Sequence, residues 1–70
     1  MKDVFLQRAP VELYQLLKLE GLVASGGEAK CVIAEGLVLV NGTVETRKRK
    51  KITYGDVITY QQEKLAIRQP

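Results

Sequence analysis

Apolar residues recur twice in the first half of the chain at the spacing of one helix face. Both sets follow the i, i+3, i+4 pattern, with Leu13, Leu16 and Leu17 in the first and Ala29, Val32 and Ile33 in the second. The pattern predicts one helix from Val11 to about Glu20 and another from about Gly26 to Glu35. Helices this short are marginal in isolation, so each needs a surface on which to pack its apolar face.

The residues that flank the two apolar sets are typical of helix ends. Pro10 is tolerated at the start of a helix, because its missing N–H would have no helical partner there. Gly21 and Gly36 are natural C-terminal stops. Ser25, followed three residues later by Glu28, has the spacing of a capping box. We therefore expect Ser25 to cap the second helix.

The other apolar segments are short and rich in β-branched residues, as strands are. Six segments are predicted as strands: residues 3–8, 37–40, 43–46, 52–54, 57–60 and 65–67. Asn41-Gly42, between two of them, predicts a hairpin with a type I′ turn. The order of one strand, two helices and a β-meander predicts an α+β fold. In this fold two helices pack on one face of a small, mostly antiparallel sheet.

The length allows one domain at most, and we expect residues 1–70 to form it. The single cysteine, Cys31, excludes an internal disulfide and fits a reducing cytoplasm. We expect it to be a small packing residue beside the apolar face of the second helix.

No apolar stretch is long enough for a signal peptide or a transmembrane helix. These features predict a soluble, cytoplasmic protein that acts as a monomer and does not bind membranes.

Five consecutive basic residues interrupt the strand pattern. We call them the basic run: Arg47, Lys48, Arg49, Lys50 and Lys51. The other 65 positions carry six basic and eight acidic residues, so the net charge of +3 comes from this run. Such a concentration of charge indicates an anionic partner, with a solvated loop as the simpler alternative. If the run is extended, Arg47, Arg49 and Lys51 share one face, with Lys48 and Lys50 on the other.

Three segments of the chain resemble the S4 RNA-binding domain in order and spacing. They are residues 16–30, residues 33–42 with the family's "I-x-x-G-x-V-x-V-N-G" pattern, and residues 55–58 with its "G-D-x-I" pattern. The similarity is strongest to free-standing bacterial S4-domain proteins, which also carry "S-G-G-x-A-K" and a basic run. The resemblance implies an αL motif, in which two helices and a hairpin form an L-shaped surface that holds structured RNA.

A second candidate contact lies at the start of the second helix, at Ser25, Gly26, Gly27 and Lys30. Many S4 domains have a basic residue directly after the cap serine, where this chain has Gly26. The backbone N–H groups of Gly26 and Gly27 are an alternative anion contact, and simple capping is the structural alternative. A glycine at position 27 costs helix stability, which suggests a close approach to the backbone.

Three further side chains have both a structural and a binding interpretation. Lys18 is a third candidate contact, although its place near the end of the first helix also suits the helix dipole. Tyr54 and Tyr60 lie in predicted strands. We expect both rings in the core, with stacking on bases as the alternative.

Catalysis has little chemical basis in this composition. The chain has no histidine, and its one serine is the predicted cap, so no activated nucleophile can be assembled. It also lacks the Cys and His ligands of a zinc site. We expect no cofactor, no metal and no enzymatic activity. The sequence predicts a module that docks through phosphates on structured RNA, either ribosomal RNA or another folded RNA.

Two alternatives remain open. The second interpretation is an adaptor that uses the basic run to hold a larger RNA-processing or ribosome-associated protein. Binding to DNA or anionic lipid by charge alone is the third interpretation.

Overall fold

Seven strands and two helices make up the computed structural model, which describes residues 1–70. In chain order they are β1 (Lys2–Phe5), β2 (Val11–Glu12), α1 (Leu13–Leu19), α2 (Gly26–Ala34), β3 (Val38–Val40), β4 (Thr43–Val44), β5 (Lys51–Ile52), β6 (Val57–Tyr60) and β7 (Glu63–Arg68). Neither helix has the length and apolar character needed to cross a membrane.

Five of the strands form one sheet in the order β1-β7-β6-β3-β4. All pairs in it are antiparallel except β1 with β7, which run parallel and bring the two ends of the chain together. The predicted α+β class, with two helices on a small and mostly antiparallel sheet, is confirmed. The predicted simple meander is wrong, because β4 lies at the edge of the sheet with no β5 beside it, and β6 pairs with β3 instead.

The strand β5 instead leaves the main sheet and pairs with β2, with Val11 opposite Ile52. This pairing places Ile52 in the core with no exposed surface. It also corrects the predicted start of the first helix. Because Val11 and Glu12 are extended in β2, α1 begins at Leu13, and Pro10 precedes a strand rather than a helix. Glu12 is the N-cap residue of α1 and not part of its first turn.

The second helix follows the prediction closely. It begins at Gly26 and ends at Ala34, and the backbone N–H of Glu28 donates to the Ser25 hydroxyl oxygen at 3.1 Å. The predicted cap is therefore confirmed. The Glu28 carboxylate accepts from the backbone N–H of Ala24 at 2.6 Å, one residue earlier than in a standard capping box.

The hairpin between β3 and β4 has the predicted turn. Asn41 and Gly42 have positive φ angles of 54° and 83°, as a type I′ turn requires. The Asn41 side chain also reaches the loop before β6. Its Nδ2 donates to Asp56 at 3.0 Å, and its Oδ1 accepts from the backbone N–H of Val57 at 2.8 Å.

The core lies between the helices and the inner face of the five-stranded sheet. Its 15 residues are Val4, Leu13, Leu16, Leu17, Val23, Ala29, Val32, Ile33, Val38, Val40, Ile52, Ile58, Tyr60, Leu65 and Ile67. All six residues of the two predicted apolar sets are among them. On the opposite, outer face of the sheet, the register places Leu39 between Val44 and Thr59.

The two tyrosines and the cysteine that were predicted to pack in or beside the core have different outcomes. Tyr60 is buried, and the half-buried Tyr54 donates its hydroxyl to the Leu6 carbonyl at 3.1 Å, so both rings serve the fold as expected. Cys31, in contrast, is exposed. It follows the buried Ala29 by two positions, which turns it away from the face that meets the core, so its predicted packing role is wrong.

Candidate nucleic-acid interface

The basic run forms a bent loop rather than a strand. The backbone N–H of Lys50 donates to the Arg47 carbonyl at 3.1 Å, which closes a turn through Lys48 and Arg49. Only Lys51 belongs to a strand. The alternation of the five side chains between two faces, expected if the run were extended, therefore does not apply, because the backbone turns within the run.

The bend has a structural cause at the start of α1. The first N–H groups of a helix have no partner within the helix. Here the N–H of Leu13 donates to the Lys50 carbonyl at 2.9 Å, and that of Tyr14 donates to the Lys48 carbonyl at 3.1 Å. The carbonyls of the loop thus hold the first helix, while the side chains of Lys48 and Arg49 are exposed to solvent.

The first residue of the run is held by a carboxylate. The Arg47 guanidinium contacts Glu45 twice, at 2.9 Å from Nε and 3.1 Å from Nη2, and the Arg47 backbone N–H adds a third contact at 3.0 Å. Hydrogen bonding to this side chain is the main reason that the pKa of Glu45 falls from its usual 4.5 to about 2. The same bond raises the pKa of Arg47.

The last residue of the run also has a partner, since Lys51 Nζ lies 3.4 Å from Glu12. The other ion pairs of the chain, Lys2 with Glu20 and Arg68 with Asp3, involve none of the predicted site residues. Lys48, Arg49 and Lys50 are in no ion pair. The two ends of the run are therefore engaged within the protein, and the three central cations are free to meet an external anion.

Tyr14 joins this loop to the second predicted contact. Its backbone is bonded to Lys48, as described above, and its ring lies beside the start of α2. A Cβ atom built on Gly26 would be 3.9 Å from the ring carbon Cδ2 of Tyr14. The Lys30 ammonium lies 5.0 Å from the centre of the same ring, within the range of a cation–π contact.

An open depression of about 390 Å³ lies next to the ring. It is lined by Tyr14, Gln15, Lys18, Leu19 and Gly26. Three predicted residues, Lys18, Gly26 and Lys30, are thus gathered around one aromatic side chain. Tyr14 and Gln15 are not among the site residues predicted from the sequence. The only available signal was the position of Tyr14 beside the apolar stripe of α1, which is equally typical of ordinary core packing.

The remaining predicted residues, Ser25 and Gly27, lie at the start of α2. The Ser25 hydroxyl is occupied as a helix cap. A Cβ built on Gly27 would meet only the Ser25 hydroxyl oxygen, at 3.8 Å, so nothing within the chain requires a glycine there. The carboxylate of Glu28 lies in the same first turn. Its charge opposes a second anion at this helix end.

The cations of the site that are in no ion pair belong to three segments that meet at Tyr14, namely α1, α2 and the loop of the basic run. We call these cations together the cationic surface, which consists of Lys18, Lys30, Lys48, Arg49 and Lys50. None of the five is in an ion pair. The loop of the basic run is hydrogen-bonded to the backbone of Tyr14, and Lys30 of α2 contacts the Tyr14 ring.

This arrangement of a helix pair, an Asn-Gly hairpin and a basic loop matches a known family over nearly the whole chain. The family model of the S4 domain matches residues 4–68. The chain belongs to the S4 domain family. The resemblance inferred from residues 16–30, 33–42 and 55–58 is confirmed.

Two curated relatives match about 70% of the chain. The "Putative RNA-binding protein YbcJ" of Escherichia coli is 58% identical over 50 residues, which cover 71% of each protein. The "Probable ribosome maturation protein RlbA" of Bacillus subtilis is 42% identical over 48 residues, which cover 69% of this chain and 68% of that protein.

Solved structures agree with these matches. The solution structure of YbcJ from E. coli, described as revealing an αL motif involved in RNA binding, covers 97% of this chain and 87% of that one, with 46% identity and a TM-score of 0.73. The 30S ribosomal protein S4e from Thermoplasma acidophilum aligns over 81% of this chain but only 30% of its own length. Its identity is 28% and its TM-score 0.61.

Proposed function

We propose that this protein is a non-catalytic RNA-binding module that docks on structured RNA through contacts with phosphates. YbcJ, which is similar to this chain both in sequence and in structure, is described as RNA-binding, and this supports the proposed function. The names of RlbA and S4e favour ribosomal RNA as the partner. A monomeric state and a cytoplasmic location stay predictions.

The observation that carries the proposal is the cationic surface. Cations that are in no ion pair attract phosphates without first breaking an internal contact. The loop that bears Lys48, Arg49 and Lys50 is hydrogen-bonded through its backbone to the start of α1, so the backbone that carries these charges is held beside the helix that carries Lys18. Phosphate contacts of this kind position a protein on RNA and carry little sequence information.

A matched pair of double variants tests the proposal. Lys48→Gln with Arg49→Gln removes one lysine and one arginine from the cationic surface. Lys64→Gln with Arg68→Gln removes the same two residue types from the outer face of β7, so the net charge changes equally. We expect the first pair to raise the Kd for a folded RNA by roughly 2- to 30-fold, from about 0.2–1 kcal/mol per exposed ion contact. The second should change it by less than about twofold.

Crosslinking in cells, followed by sequencing of the bound RNA, identifies the partner. Wild-type protein should enrich folded RNA, with ribosomal RNA the first expectation. The Lys48→Gln and Arg49→Gln pair should lose this enrichment while the protein stays folded. Recovery of no RNA above background would count against the proposal.

The second candidate is an adaptor for a larger RNA-processing or ribosome-associated protein. The exposed apolar side chains of Leu37 and Val44, 52% and 53% accessible, favour a protein contact in addition to the charges. In this case the Lys48→Gln and Arg49→Gln pair would lose a protein partner in a pull-down experiment, with little change in RNA affinity. The two candidates therefore predict opposite results for the same variant.

A further inference from the structure

We propose that the depression beside Tyr14 binds one unpaired nucleotide of the RNA, next to the helical region whose phosphates the cationic surface contacts. This inference rests on the proposed RNA-binding function. It adds a subsite and a substrate class, namely a helix interrupted by a bulged or looped-out nucleotide.

The depression offers an apolar surface of the kind on which a base can stack. Tyr14 is only half-buried, and its ring lies beside Gly26 and Lys30 of α2. Leu19, on the same helix as Tyr14, is 71% exposed and borders the same space. Unpaired bases in RNA are commonly bound by stacking on aromatic side chains, whereas bases within a helix have their faces covered.

Polar and charged groups surround this apolar surface. The amide oxygen of Gln15 accepts from the Glu12 N–H at 3.4 Å, which leaves the amide NH₂ free to donate to a base edge. Lys18 lines the depression, and Lys30 reaches over the Tyr14 ring. Both ammonium groups therefore lie close enough to the space to meet the phosphates on either side of a bound nucleotide.

The size of the space fits a single nucleotide rather than a helix. Its volume of about 390 Å³ is near the lower end of the range for small-molecule sites, about 300–1,000 Å³. The charge of the lining favours an anionic ligand, because Lys18 lines the depression and no carboxylate does.

The glycine at position 26 is explained by the same subsite. A Cβ there would already touch the Tyr14 ring, at 3.9 and 4.0 Å from two of its carbons. A longer side chain would extend across the ring and fill the depression. The basic residue that many S4 domains have at this position would therefore start from the edge of the Tyr14 ring and compete for the same space.

Two RNA hairpins that differ only in one unpaired nucleotide within the stem provide the test. We measure the Kd of each for the full chain at one salt concentration and take their ratio, which cancels any general loss of affinity. Wild-type protein should prefer the interrupted stem by roughly 5- to 100-fold, the range expected for one stacked base. Tyr14→Phe, which keeps the ring, should keep this preference.

Two independent variants should abolish the preference. Tyr14→Leu removes the ring but keeps an apolar side chain, and Gly26→Leu fills the depression while leaving Tyr14 in place. Both ratios should fall to about 1. On binding the interrupted stem, the ring protons of Tyr14 should also shift upfield in the NMR spectrum, as stacking on a base requires.

Each contrary result has a distinct meaning. Equal affinity of the wild-type protein for both hairpins would overturn the subsite while leaving the proposed RNA binding intact. An unchanged preference in both Tyr14→Leu and Gly26→Leu would overturn its location. Binding to neither hairpin would contradict the proposed function, and the subsite with it.

Discussion

The guanidinium of Arg47 forms a two-point contact with the carboxylate of Glu45, at 2.9 and 3.1 Å. Arg49, two residues further along the same loop, is in no ion pair. Two arginines that are equivalent in the sequence of the basic run thus differ in the structure. Arg47 holds the loop to the end of the hairpin, while Arg49 presents its charge to solvent.

This difference predicts unequal effects on the salt dependence of RNA binding. If three to five phosphates are neutralised, log K should fall with log salt at a slope of about −2 to −4. Arg49→Gln should make the slope shallower by about 0.7–0.9, the share of one phosphate contact. Arg47→Gln should change it by less than half as much, because its charge is already matched by Glu45.

Binding measured at four or more salt concentrations gives these slopes. Arg47→Gln is the matched control for Arg49→Gln, since both remove one guanidinium from the same loop. Equal changes in slope would show that the ion pair with Glu45 opens on binding. A flat salt dependence of the wild-type protein would exclude phosphate contact as the source of affinity.

The same ion pair predicts an acid-dependent loss of stability. The pKa of Glu45 is lowered from 4.5 to about 2 in the folded protein, mainly by its hydrogen bonds with Arg47. A depressed carboxyl pKa stabilises the fold fully above the unfolded value and loses this effect as the pH falls through the folded value. The contribution of Glu45 should therefore be present above pH 4.5 and disappear towards pH 2.

Urea unfolding of wild-type protein and Glu45→Gln between pH 2 and pH 7 measures this contribution. The difference in unfolding free energy between the two should be largest near neutral pH and shrink below about pH 4.5. Arg47→Gln, which removes the cause of the shift, should reduce the same pH dependence. A difference that stays constant across the whole range would contradict the role of the ion pair.

The parts of the fold that depend on neighbouring residues were predictable from the sequence. The cap by Ser25, the bounds of α2 and the turn at Asn41-Gly42 each depend on residues within a few positions of one another. The family was predictable because three segments keep its spacing. Long-range pairing was not, because strand pairing depends on the packing of the whole chain.

The pairing of β2 with β5 illustrates this limit, and it decides the shape of the candidate site. Two residues in each strand are too few to give a periodic pattern. Yet because of this pairing α1 begins two residues later than predicted. Next to it, the carbonyls of Lys48 and Lys50 accept hydrogen bonds from the first N–H groups of α1, and the basic run is bent where it makes these bonds. The place of Tyr14 between the basic run and α2 follows from the same contacts, so it could not be predicted either.

A side-chain contact between the two turns of the sheet predicts a rescue experiment. The Asn41 amide donates to Asp56, while Asp56 also accepts from the backbone N–H of Thr53 at 2.9 Å. Asn41→Asp replaces the donor with a second carboxylate and should lower the unfolding free energy by about 1–3 kcal/mol. Adding Asp56→Asn restores one donor and one acceptor and should recover part of the loss.

Denaturant unfolding of the two single variants and the double variant gives the coupling between them. Additive losses would show that the contact is absent in solution.

Gly27 allows stability and RNA binding to be separated in a single variant. Gly27→Ala should stabilise the protein, by up to about 1 kcal/mol, because alanine favours helix and the added Cβ meets only Ser25 at 3.8 Å. If an RNA phosphate approaches the backbone at Gly27, the same methyl group should weaken binding. A higher melting temperature is expected in either case, and a higher Kd for folded RNA would place Gly27 in the interface despite the charge of Glu28. A variant that is more stable and binds as well as wild-type protein would remove Gly27 from the interface and leave affinity to the cationic surface alone.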